Sequence, residues 1–166
     1  MCSLRRAVRR AEIHGMVIAI ENLAPLFPGP ETLSASPMSL RTVAKRLSSE
    51  GVGLCLDLGH AHISAQLRHT SLAALIEPVL DSMRLIHAHD NYGARNDTEG
   101  SDARGVDPVR LDLHLPPGRG NLPWHEIAPL VMRTGVPMIL EVHPPFRPRS
   151  AELHDSVSVL FAGCRD

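Results

Sequence analysis

The sequence predicts an α/β fold in which four parallel strands alternate with helices around one core. Three observations point there. Four short, almost wholly apolar runs, VIAI, VGLCL, LIHA and MIL, recur along the chain. Continuous apolar strands are expected where a parallel sheet is buried on both faces. Each run follows a helical stretch closed by a glycine or a polar turn, and each ends on a carboxylate or a histidine. With 166 residues, 43% of them hydrophobic and 21% charged, a single domain over residues 1–166 with an ordinary core is expected.

The opening MCSLRRAVRRAEIHG sets arginines among Leu4, Ala7, Val8 and Ala11, the pattern of an amphipathic helix, and lacks the apolar stretch of a signal peptide. The first strand lies in His14–Asn22 (HGMVIAIEN). Ser36 and Pro37 make an N-cap and first-turn pair for a helix to about Glu50. The second strand lies in Glu50–His60 (EGVGLCLDLGH). Ser71 opens the next helix, which Pro78 should end early. The third strand lies in Ser82–Asn91 (SMRLIHAHDN), and the fourth in Thr134–His143 (TGVPMILEVH). Gly15, Gly51 and Gly135 stand where helix C-caps are expected. Tyr92–Leu122 breaks the pattern, and its polar part is expected to be mobile through Pro108 and ordered from Leu111. Helices over Pro123–Thr134 and Ser150–Cys164 complete a βαβαβαβα order behind one helix. Right-handed crossovers then gather all four strand C-termini on one rim.

Composition excludes several classes. A net charge of −1 and 3% aromatic residues give neither the field nor the stacking platforms for nucleic acid. No run reaches the ~18–20 apolar residues of a membrane span. Cys2, Cys55 and Cys164 are widely separated, so neither a disulfide framework nor a thiolate zinc site is expected, and a cytoplasmic location is. One lysine, Lys45, stands against sixteen arginines and lies in a helical pattern, which argues against Schiff-base chemistry. Ten histidines are many for this length.

The chemistry collects where the strands end: Glu21, Asp57 with His60, His87 with His89 and Asp90, and Glu141 with His143. Asp112 and His114 follow on the loop after the third strand. Side chains at i and i+2 share a strand face, so spacing alone cannot separate His87 from His89. One acidic residue at a strand end is ordinarily a helix N-cap or a solvated loop residue. Four strand ends in four carrying a ligand type is a different matter. Carboxylates crowded on one rim repel unless a counter-ion sits among them, and a mixed carboxylate–imidazole set suits Mn, Mg, Co or Zn.

The segments IAIENLAP, LCLDLGHAH, LIHAHDN, DLHLPPGRGNLPW and ILEVH resemble, in order, motifs of the xylose-isomerase-like TIM barrels. That superfamily holds sugar phosphate isomerases and epimerases and the endonuclease IV-type DNA repair enzymes. The resemblance implies a partial (β/α)8 TIM barrel whose four βα units correspond to strands 5–8. It makes Glu21, Asp57, His87 and Glu141 the metal ligands. It matches His60 to the histidine three after the aspartate, and Asp112 with His114 to the D-x-H pair after the seventh strand. A full barrel needs at least ~200 residues, so self-association or pairing with a missing N-terminal half-barrel is expected.

The function so implied is a divalent-metal-dependent sugar (phosphate) isomerase or epimerase. The cation would polarise neighbouring carbonyl and hydroxyl oxygens, and a proton would move at the adjacent carbon through a metal-stabilised enediolate. Glu21 and Glu141, on opposite sides of the metal, are the candidate acid–base pair. His60, His89, Asp112, His114 and Arg119 are candidate contacts to a small sugar or hydroxy-carbonyl substrate. Two alternatives stand beside this: a truncated, inactive metal-binding remnant, and an endonuclease IV-like abasic-site enzyme with several zinc ions, which the near-neutral charge disfavours.

Overall fold

The computed structural model describes residues 2–25, 33–47, 51–94, 112–147 and 150–162. The expected switch from mobile to ordered chain between Pro108 and Leu111 lies outside them, as do Glu50 and Cys164.

Helix α1 (Cys2–Ile13) buries Val8 and Ala11 and leaves Arg5, Arg6, Arg9 and Arg10 exposed. Gly15 ends it with φ 64°. Met16 N donates to Ala11 O and Gly15 N to Glu12 O, the bond pair of a left-handed C-cap. Strand β1 (Ile18–Glu21) follows, then α2 (Pro37–Leu47), whose first turn is met by Ser36 Oγ accepting from Ser39 N. Strand β2 (Val52–Asp57) runs directly into α3 (Leu58–Leu67). This helix was not expected from the sequence. Helix α4 (Leu72–Ile76), capped by Ser71 Oγ, gives way at Pro78 to a 3-10 segment, Glu77–Ser82. Strand β3 (Met83–Ala88), α5 (Trp124–Met132), β4 (Met138–Leu140) and α6 (Ser150–Phe161) complete the order.

The strands form one parallel sheet in the order β1-β2-β3-β4. One face packs against the helices. There Leu56, Met83, Ile86 and Ala88 join Trp124, Ile127, Val131 and Phe161, while Val52 and Leu54 join Val8, Leu40 and Val79. Period two sends the alternate residues to the other face: Glu21, Cys55, Asp57, Leu85, His87 and Ile139. That face is not wholly apolar. Ile139 is 47% exposed on it and the Arg84 side chain lies across Gly53.

The loop after β3 is tied down by Asp90, which is wholly buried. Its Oδ1 accepts from Asn91 N and Leu122 N, and its Oδ2 from Gly118 N and Trp124 Nε1. Asp90 thus organises the turn that precedes α5.

Candidate metal centre

Asp57 closes β2 and caps α3 at once: its Oδ1 accepts from His60 N at 2.7 Å. The same oxygen accepts from His89 Nε2 at 3.0 Å. Asn22, at the end of β1, clamps the Asp57 backbone from both sides. Its Oδ1 accepts from Asp57 N and its Nδ2 donates to Asp57 O, both at 2.9 Å. The carboxylate is therefore fixed in orientation, with Oδ2 wholly buried and without a hydrogen-bond partner. Burial alone would push the Asp57 carboxyl up. The bond from His89 and the nearby His60 outweigh it and hold the group below the usual carboxylate range.

Glu21, Asp57, His87 and Glu141 each offer one ligand atom, and the four atoms lie within 4.8 Å of one another. His87 Nδ1 stands 3.1 Å from Glu21 Oε1 and 3.2 Å from Glu141 Oε1. Glu21 and Glu141 follow from the two outer strands, which in a flat sheet would lie roughly 14 Å apart, three spacings of ~4.8 Å. Their meeting requires a sheet curved toward this face. Donors around a tetrahedral ion with bonds of ~2.0–2.2 Å sit roughly 3.5 Å apart, so this set closes on a cation with small side-chain shifts. The unsatisfied Asp57 Oδ2 is the observation that the set fits one. Glu21 and Glu141 remain 32% and 35% exposed on the rim, whereas Asp57 has no exposure.

Beside this quartet lies a second group, His60, His89, Asp112 and His114, whose donor atoms also fall within 4.8 Å of one another. His60 donates from Nδ1 to Asn22 O at 2.9 Å and from Nε2 to Asp112 Oδ2 at 3.1 Å. With an acceptor at each nitrogen the ring is held protonated. Burial opposes this, but Asp112 and Asp57 raise its pKa to about 9. Burial likewise opposes ionisation of Asp112, and His114 and His60 drive its carboxyl well below the ordinary range. His114 adopts a left-handed conformation, φ 49°, uncommon for a residue with a side chain. Its Nδ1 donates to Glu141 O and its carbonyl accepts from His143 N. It stacks between His89 (3.7 Å, 6°) and His143 (4.4 Å, 12°).

Two of the candidate substrate contacts are placed differently from the rest. His89 has no exposed surface, because its ring packs on Gly59 in the first turn of α3 and behind Asp57. As placed, its Nε2 meets Asp57 Oδ1. Arg119 lies exposed on the Pro116–Gly120 turn, where its backbone N–H bonds Pro116 O. Asp90 stays outside both groups, its two oxygens taken by the loop. Asn22 was not singled out from the sequence, and His143 was noted there only beside Glu141, with no role. The signal for Asn22 was its place beside Glu21 at a strand end, and for His143 its i+2 spacing from Glu141.

Residues 1–161 match the family model described as xylose isomerase-like TIM barrel. An uncharacterised protein of Methanocaldococcus jannaschii is 26% identical over 140 residues, 84% of this chain and 41% of that protein. Among solved structures, a D-tagatose 3-epimerase-like protein superposes with TM-score 0.71 at 22% identity, over 98% of this chain and 53% of the other. A 3-keto-D-glucoside 4-epimerase from E. coli gives TM-score 0.60 at 16% identity, over 96% and 51%. The chain spans about half the length of these proteins.

Proposed function

The chain belongs to the xylose isomerase-like TIM barrel family, and from that premise we propose that its rim is the metal half of a sugar isomerase or epimerase site. The observation that carries this is the convergence of Glu21, Asp57, His87 and Glu141 around an unsatisfied, buried carboxylate oxygen. A small sugar or hydroxy-carbonyl compound is the substrate class. The epimerase neighbours support that choice.

Glu21, Asp57, His87 and Glu141 hold the cation. When bound, it supplies polarisation of the substrate's carbonyl and adjacent hydroxyl oxygens, which acidifies the C–H beside them. The residues divide the remaining work. Glu21 and Glu141 approach from opposite sheet margins and stay open to the rim, so one takes the carbon-bound proton and the other returns it. Asp57 is fixed by Asn22, His60 and His89 and does not move. Asp112 faces the substrate on the side of the second group, where its carboxylate accepts from a hydroxyl; His60 and His114, whose ring nitrogens already face protein acceptors, hold that carboxylate in place.

The test is solvent deuterium exchange into a panel of ketoses with Mn2+, Co2+, Mg2+ or Zn2+ present. Exchange at the carbon next to the carbonyl in the unaltered protein, lost in Glu141→Gln and Glu21→Gln, is the expected result. No exchange with any metal leaves the inactive-remnant reading. One observation favours a second reading: the imidazole-rich group of His60, His89, Asp112 and His114 has the donors of a further zinc site. Nicking of an abasic-site plasmid with two or more zinc ions per chain would establish it.

A further inference from the structure

Cys55 is a free, buried thiol on the open face of β2, two residues before Asp57 and therefore on the same side of the strand. Its Cα partner across the sheet is Glu21, and that of Asp57 is His87. A donor atom from each of Glu21, Cys55 and His87 falls within the same 4.8 Å limit as the quartet. Two of the quartet's ligands are thus shared with a sulfur set. Exchanging Asp57 for Cys55 shifts the cation one side chain down β2 and leaves Glu21 and His87 as ligands. The two sets adjoin: Asp57, whose buried Oδ2 has no hydrogen-bond partner, belongs to the neighbouring quartet that shares Glu21 and His87 with this group.

We propose that Cys55 supplies a sulfur ligand to a soft divalent cation held with Glu21 and His87, so that the centre takes zinc, cobalt or cadmium in a different donor set from manganese or magnesium. One thiolate, one imidazole and one carboxylate with an open fourth position is a donor set suited to zinc, and hard cations decline sulfur. The thiol proton passes to solvent as the sulfur–cation bond forms. Manganese and magnesium take the all-oxygen-and-nitrogen quartet, and Cys55 stays a thiol beneath them. The inference rests on the metal centre proposed above and adds which cations choose which ligands.

Cobalt(II) titration of the whole chain, followed by absorption, is the experiment. The expected spectrum has visible d–d bands together with a near-ultraviolet sulfur-to-cobalt charge-transfer band. Cys55→Ser should abolish the charge-transfer band, keep d–d bands and weaken Co2+ while leaving Mn2+ affinity unchanged. Cys55→Ala should do the same, which separates loss of sulfur from any effect of the hydroxyl. Bound cobalt with d–d bands and no sulfur band in the unaltered protein overturns the role of Cys55 while the metal centre stands. A band that persists in both variants overturns it as well. Absence of cobalt binding altogether removes both the inference and the centre it rests on.

Discussion

At the scale of single residues, most of the candidate chemistry was legible and its connections were not. His87 was set apart from His89 only by the family resemblance, whereas Glu21, Asp57 and Glu141 could be read from strand ends. That Asp57 would also cap a helix could not, because an N-cap and a ligand look alike in sequence. The burial of His89 was equally hidden, since i, i+2 spacing gives a face and not a depth. The pairing of His60 with Asp112 has a pH consequence. The His60 pKa is raised to about 9 in the folded protein from 6.5. A pKa raised by folding stabilises fully below the unfolded value and ceases to do so as pH rises through the folded one. The urea midpoint of the metal-free protein should therefore fall between about pH 6.5 and pH 9. Asp112→Asn should flatten that slope, and an equal slope in the variant would contradict the pairing.

At the scale of elements, the four strands followed from apolar runs bounded by polar ends, and Ser71 and Pro78 marked α4 correctly. Helix α3 escaped because Leu58 to Ala65 are all buried, so it has no polar face and no amphipathic period. It also starts without any turn after β2. Its first turn governs the site through Gly59, where a Cβ would fall inside the His89 ring. Gly59→Ala should destabilise the fold by about 1–3 kcal/mol, as overpacking does. Displacing His89 from Asp57 should also weaken the cation by roughly 10–100-fold, the usual cost of losing a ligand's outer support. Thermal melts and calorimetric titration read the two effects separately. Asp90→Ala removes the acceptor of four N–H groups around the sole tryptophan. Unpaired buried donors cost about 1–3 kcal/mol each. The variant should unfold at lower urea with Trp124 emission already red-shifted in its native baseline.

At the scale of the whole molecule, the chain is a partial barrel: helices cover one face of a curved four-stranded sheet and the rim of the other carries the site. Among the described residues, β1 and β4 each have one strand neighbour only, leaving two sheet edges open. Unpaired parallel edges template further pairing. We expect the chain to complete its wall with a second half-barrel, either its own copy or a separate one. Sedimentation should show association that Ile139→Lys, on the open face, reduces. A stable monomer over the accessible concentrations would argue against it. The central claim is that four strand ends from one curved wall form one cation site. Calorimetric titration of Mn2+ into the unaltered protein, Glu21→Gln and Glu141→Gln tests it most directly. One ion per chain, bound markedly more weakly in each variant, is the expected result, and affinity unchanged in both variants would contradict the site.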